Sequence, residues 1–262
     1  SIRGSRRPDP NVLEDASLFA RELALVGLHT VSGLALGVDS AAHRGALAAV
    51  DGRTVAVQAR GLDAVYPASN RKLAERILER GAILSEFPVG TAPLPRNFPV
   101  RNRLIAALSV GTLAVQAARR SGTLITARLA VDLGRDVYAV PGPIFHQRAV
   151  GTNELVRDGA VMALEPRDVL EALPLAVRTQ LEARDLGRDT PAADTPEGTA
   201  ATVLDLLEDR AELAPDAIAE QAGLGIDEVL TALLALELEG RVRRHPGPVF
   251  HIRRGRRRGR LG

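Results

Sequence analysis

Val31-Ser32-Gly33-Leu34-Ala35-Leu36-Gly37-Val38-Asp39-Ser40-Ala41-Ala42-His43-Arg44-Gly45-Ala46-Leu47 reads as a buried strand that runs through a glycine turn into a helix. At such a junction α/β proteins hold phosphates, because the free N–H groups and the dipole of a helix N-terminus attract anionic oxygen. Ser32 and Gly33 stand where a backbone must approach a ligand closely. No G-x-G-x-x-G follows a strand anywhere in the chain, so a dinucleotide site is not expected. His43, on the helix, reads either as a catalytic base or as a side chain bonded to a neighbouring carbonyl.

Outward from this stretch, apolar runs alternate with helical patterns. The spacing predicts helices near 11–26, 38–50, 69–80, 99–108, 122–133, 152–158 and 166–172, and strands near 29–33, 53–58, 82–86, 111–116 and 136–140. Ser1-Ile2-Arg3-Gly4-Ser5-Arg6 reads as the end of a further strand and its turn, which predicts a fragment whose first strand is cut short. The alternation predicts an α/β fold with a mainly parallel sheet covered on both faces, and ligands beyond the carboxyl ends of its strands.

With 262 residues, 45% of them hydrophobic and 25% charged, the chain can bury one large core and a small one. There is no cysteine, no run of about 18 apolar residues and no signal-peptide pattern. A cytoplasmic protein without disulfides, thiolate metal sites or membrane contact is the expectation. Net charge is only +2, but Lys72 is the sole lysine, so the basic set is arginine, which favours bidentate contact with phosphate or carboxylate.

The large domain is expected to span 1–172. Residues 173–198, polar and rich in Pro and Ala toward their end, read as a linker. Residues 199–252 follow as three helices (near 199–209, 215–222 and 226–239) and two short strands around Pro246-Gly247-Pro248, the pattern of a winged helix-turn-helix. The arginine-rich tail 253–262 reads as disordered.

Four segments of the large domain carry candidate chemistry. Gly4-Ser5-Arg6 offers a tight turn, a hydroxyl and a guanidinium, or is an incidental turn. Arg96, Phe98, Arg101, Asn102 and Arg103 lie where a proline-rich loop enters a helix. An aromatic ring beside guanidinium groups suits a single-stranded nucleic acid, since every base has a π-face and every nucleotide a phosphate. Phe98 as a core staple, with arginines that cap or pair locally, is the alternative. Ser121, Gly122 and Thr123 begin a helix after a strand, either as a second anion nest or as a plain N-cap. Gly61-Leu62-Asp63 and Tyr66-Pro67-Ala68-Ser69-Asn70 complete the rim.

These residues occur in an order that identifies a family. Ser32-Gly33-Leu34-Ala35-x-Gly37-Val38-Asp39 is followed by Gly61-Leu62-Asp63-x-x-Tyr66-Pro67-x-x-Asn70, then Phe98-Pro99-x-Arg101-Asn102-Arg103-x-Ile105-Ala106, Ser121-Gly122-Thr123-Leu124-Ile125-Thr126-Ala127 and Gly134-Arg135-Asp136-Val137-Tyr138-Ala139-Val140-Pro141-Gly142. From residue 4 to about 170 the chain resembles the DNA-processing protein A family (DprA, also called Smf). The resemblance implies an extended Rossmann-like domain that binds single-stranded DNA without sequence preference, a homodimer, and a role in loading the RecA recombinase during natural transformation and recombination. It also implies a C-terminal winged helix and no cofactor. Arg6 resembles the family's main phosphate-binding arginine and Phe98 its stacking aromatic, while Leu155 and Val156 fall where the family has an apolar dimer contact. Two positions depart from the pattern: Ala68 and Pro95 stand where the family often has lysine, with Arg71 and Lys72, and Arg96, close by.

Two rivals belong to other classes. A nucleotide-cleaving enzyme of the lysine-decarboxylase-like phosphoribohydrolase type would share the core, but its Pro-Gly-Gly-x-Gly-Thr-x-x-Glu signature is absent, and neither paired carboxylates nor a metal-ligand cluster replaces it. A winged-helix regulator would need a basic recognition helix. From 197 to 240 eleven acidic residues face the single Arg210, which disfavours duplex phosphates and suggests a protein-binding or regulatory module. Nine arginines follow after 240 and complicate that reading.

Overall fold

Strands and helices alternate through the first of two units, as the spacing of the apolar runs requires. The computed structural model describes residues 1–186, 198–209, 213–238, 242–245 and 249–252, and the units are Ser1–Arg188 and Asp189–Gly262. In chain order the first contains β1 (Ile2–Gly4), α1 (Pro10–Leu25), β2 (Thr30–Ser32), α2 (Val38–Ala48), β3 (Thr54–Val57), α3 (Arg71–Arg80), β4 (Ala82–Leu84), α4 (Asn97–Ala107) and β5 (Gly111–Gln116). It continues with α5 (Gly122–Asp132), β6 (Asp136–Ala139), α6 (Val150–Arg157), β7 (Val161–Met162), α7 (Pro166–Glu171) and α8 (Leu175–Leu186).

Every strand pair here is parallel. Four strands hydrogen-bond in the order β1-β5-β6-β7 and three in the order β2-β3-β4. The two groups meet where β1 lies beside β2, and there the Ser32 hydroxyl donates to the Ile2 carbonyl at 2.8 Å. All the carboxyl ends therefore open on one edge, which is where ligands of open α/β sheets bind.

Alternation along the strands fills both faces. Ile2, Leu113, Val115 and Tyr138 pack against Phe19, Leu23, Ala41, Val169 and Leu173 of α1, α2 and the α7 region. On the opposite face Val137 meets Ala106, Ala127 and Ala130 of α4 and α5, while Val31 and Val57 meet Ile105. Small residues bring α1 and α2 into close contact: Gly45 lies against the Ser17 backbone, where a Cβ has no room.

Two segments differ from the pattern expected from sequence. The first half of the expected linker is helix α8, because Leu173, Val177 and Leu181 recur every four residues and pack on the α1 face. Strand β7 has two residues, both exposed, too few to show an alternation. The rest of the linker (187–197), Arg241, Pro246-Gly247-Pro248 and the basic tail lie outside the described residues.

The second unit is a winged helix. It comprises α9 (Thr199–Asp209), α10 (Pro215–Ala222), α11 (Ile226–Leu238) and an antiparallel pair, β8 (Val242–His245) with β9 (Val249–Ile252). Its core joins Val203, Leu207, Ile218, Val229, Leu233, Leu236, Val242 and Phe250, and Leu213 bridges to Phe250 as a third short strand position.

Candidate nucleic-acid interface

Under the carboxyl edge, at the junction between the two groups of strands, lies a buried cluster of charge. Arg3 from β1, Asp39 from the first turn of α2, and Arg101 and Asn102 from α4 are each at most 7% exposed. Arg3 pairs with the Asp39 carboxylate, which also accepts the N–H groups of Gly33 at 3.1 Å and Ala35 at 3.4 Å. Arg101 donates to the Gly33 carbonyl at 2.8 Å and to the Val57 carbonyl, while Asn102 links Arg3 to the Gly122 carbonyl at the start of α5. Burial alone would raise the Asp39 carboxyl, but Arg3 and then Arg101 outweigh it and hold it below the usual carboxylate range. Burial and the nearby Arg3 push Arg101 down to about 9, which leaves it charged at neutral pH.

This cluster corrects several sequence expectations. The N–H of Gly33 is taken by the protein's own carboxylate and the Ser32 hydroxyl by Ile2, so the β2–α2 turn offers no open phosphate nest. Gly33 is required instead because a Cβ would fall 2.6 Å from the Arg101 guanidinium and 2.7 Å from that of Arg3. Arg101 and Asn102 face inward rather than toward a ligand, since Asn97, Arg101 and Ile105 form the buried stripe of α4. Asp39 and Arg3 are the residues that sequence reasoning missed; an acid in the first turn beside Gly33 was the available signal.

Above the cluster the Gly-Ser-Arg turn is fixed by α2. The Ser5 carbonyl accepts the Val38 N–H at 3.1 Å, and Gly37, at φ +77°, gives that turn room to close over the helix. Gly4 likewise packs on Val38, where a Cβ would lie 2.6 Å from the side chain. Arg6 emerges exposed, its guanidinium carbon 4.8 Å from the centre of the half-buried Phe98 ring. Tyr66 meets the ring edge-on at 5.9 Å, and Arg101 lies beneath at 5.8 Å. Arg6, Leu36, Ala59, Tyr66, Pro67 and Phe98 line a shallow cleft over Gly33 and Arg101. Phe98 is thus a ring set among cations at the surface, neither a core staple nor fully free.

The remaining candidates spread around the same edge. Arg96, at the N-cap of α4, is exposed. Arg103 is exposed and paired with Glu86. Arg71 and Lys72 are exposed on the first turn of α3, Arg71 near Glu75 at 3.5 Å. At α5, Gly122 is exposed and Thr123 is buried. The Ser121 hydroxyl is buried, makes no cap bond and has no hydrogen-bond partner among the described residues, so it is not a plain N-cap. Leu155 and Val156 are half-buried on α6, with Leu155 packed against the α4–α5 face.

His43 is wholly buried and shares a 2.7 Å hydrogen bond between Nδ1 and the Thr54 hydroxyl. That hydroxyl donates to the Thr30 carbonyl, so it accepts from Nδ1, which carries a proton. Burial, before any charge effect, lowers the His43 pKa from 6.5 to about 4. The unfolded chain therefore takes up a proton between these values while the folded one does not. Stability is full above about pH 6.5 and falls toward pH 4, by about 3 kcal/mol from this group. Urea denaturation between pH 7.5 and 4.5 should show a shallower decline for His43→Asn than for the unaltered chain; equal slopes would count against this role.

On the far side of β1 a second knot ties neighbouring loops. Asp9 accepts the Gln116 amide at 2.8 Å and the Arg148 guanidinium at 2.8 Å, with His146 at 3.5 Å. The Gln116 bond first, then the charges of Arg148 and His146, hold its carboxyl below the ordinary range.

The family profile for DNA recombination-mediator protein A matches residues 1–174, and that for the DprA winged helix domain matches 187–248. Protein Smf of Escherichia coli is 41% identical over 240 residues, covering 90% of this chain and 63% of that protein. DNA processing protein DprA of Bacillus subtilis is 39% identical over 173 residues, covering 66% of this chain and 58% of that protein. The chain thus spans about three fifths of the length of these two relatives. Among solved structures, DprA of Streptococcus pneumoniae matches with TM-score 0.61 at 38% identity, over 66% of this chain and 60% of that one. DprA of Helicobacter pylori, described for its single-stranded DNA binding mode, matches with TM-score 0.60 at 34% identity, over 70% of this chain and 79% of that one.

Proposed function

The chain belongs to the DNA recombination-mediator protein A family, and from that premise we propose that it binds single-stranded DNA along the carboxyl edge of its sheet, with Arg6 on a phosphate and Phe98 against a base. The observation that carries this reading is the Arg6 guanidinium poised 4.8 Å over Phe98 at an exposed cleft. Without DNA the cation rests on the ring quadrupole; a phosphate draws it away and frees the ring face for a base. Arg96, Arg71, Lys72 and Arg103 extend the positive rim, and the exposed backbone of Gly122 at the α5 N-terminus provides a further phosphate contact.

The reading is of a binding protein rather than an enzyme. The cleft is lined by arginine, aromatic and aliphatic side chains, and the histidine expected as a possible base is sealed in the core. A homodimer, through apolar positions around Leu155 and Val156, and delivery of the strand to the RecA recombinase in natural transformation complete the proposal. The winged module suits a protein contact better than a duplex: α11 turns Ile226, Leu230 and Leu234 outward beside Asp227, Glu228 and Glu237.

The test is anisotropy of labelled oligo-dT against a duplex of equal length over a salt series, with light scattering of the same samples. Preference for the single strand, a marked salt slope and a dimer are expected. Equal affinity for both forms, or cleavage of a nucleoside monophosphate, would overturn the reading.

A further inference from the structure

The loop after β6 carries an exposed feature that the Arg6–Phe98 cleft does not use. Phe145 is 90% exposed and Ile144 beside it 75%, whereas Phe19 and Phe250 are buried and Phe87 and Phe98 half-buried. The loop is firmly held. The Asn153 side chain bonds both the N–H and the carbonyl of Gly142 at 3.0 Å, the His146 N–H returns to the Pro143 carbonyl, and Arg148 is anchored on Asp9. Asp9 also holds Gln116 at the end of β5, so the loops leaving β1, β5 and β6 are bound into one surface.

Position and charge indicate what covers this ring. β5 pairs with β1 on one side and β6 on the other, so the carboxyl ends of β1 and β6 are two strand spacings apart, about 10 Å. Arg6, Arg7 and Arg120 stand exposed in the β1 and β5 loops and make no ion pair among the described residues. Asp9, the one acid of these three loops, is engaged by Gln116 and Arg148. Unpaired guanidinium groups between two rings match a strand that alternates phosphates and bases.

We infer that Phe145 is a second base-stacking residue, which receives a nucleotide further along the same single strand that Arg6 and Phe98 engage. This rests on the proposed single-strand reading and extends it across β5 to β6. The strand path runs from the Phe98 cleft over Arg6, Arg7 and Arg120 to Phe145.

The experiment measures oligo-dT affinity of the full chain, unaltered and as Phe145→Ala and Phe145→Trp, with thermal melting and light scattering alongside. Phe145→Ala should bind about fivefold or more weakly with its melting unchanged, since the ring is exposed. Phe145→Trp should retain affinity, and because the chain has no tryptophan the introduced indole should report directly through quenching by oligo-dT. An unaltered chain that fails to bind oligo-dT overturns both the proposed function and this inference. Normal binding by the unaltered chain, with equal affinity for Phe145→Ala or an unquenched indole, overturns the inference alone. Loss of a dimer in Phe145→Ala would assign the ring to a second copy and likewise overturn it.

Discussion

An Asp39→Asn variant is expected to lose about 3–5 kcal/mol of folding stability, because it leaves Arg3 and Arg101 inside the sheet without their carboxylate. Asparagine keeps the size of the side chain and an oxygen for the Gly33 and Ala35 N–H groups, so the change isolates charge from shape. Urea denaturation near pH 7 reads the loss. Glu75→Gln, which removes an exposed pair with Arg71, serves as the control and should cost under about 1 kcal/mol. A loss of under about 1 kcal/mol for Asp39→Asn would show that the two arginines find other compensation. The same cluster supports the binding edge: Arg101 lies beneath Phe98, and Asn102 joins β1 to the α5 start. Asp39→Asn should therefore weaken oligo-dT binding even where the chain remains folded.

The second large effect falls on Arg6. Arg6→Ala should weaken oligo-dT binding tenfold or more and reduce the salt slope by about 0.7, the contribution of one phosphate contact on a single strand. Phe98→Ala should lose about 1–3 kcal/mol of binding while the slope stays nearly unchanged, because stacking releases no counterion. The two losses should not add, since Arg6 rests on the ring that Phe98→Ala removes. An unchanged slope in Arg6→Ala would remove the phosphate contact from the proposal. Additive losses would separate the two side chains.

Much of the architecture was legible because parallel strands buried on both faces appear as short apolar runs, and the helices between them carry their own periodicity. The α2 junction shows this: strand, glycine turn and helix fall within a residue or two of the expected positions. Helix α8 was hidden because its apolar residues recur only once per turn, and the polar, proline-rich sequence beyond it dominated the reading of 173–198. Tyr66 could be placed on the rim, but its edge contact with Phe98 arises only when the loops after β3 and β4 converge.

Within the candidate site, sequence by itself determined which segments reach the carboxyl edge, because parallel topology sends every loop after a strand to the same side. It also singled out Arg6 and Phe98 from local residue chemistry, a cation in a turn and a ring entering a helix. Only the tertiary structure decided which polar residues face a ligand and which face each other. Arg96, Arg101 and Arg103 are alike in sequence, but Arg101 falls on the inward stripe of α4 and bonds to Gly33, 68 residues away. Helical periodicity marks an inward face by its apolar residues. A buried arginine is indistinguishable from a surface one until the folded chain brings Asp39 and the carbonyls of Gly33 and Val57 around it, and those partners alone make its burial tolerable.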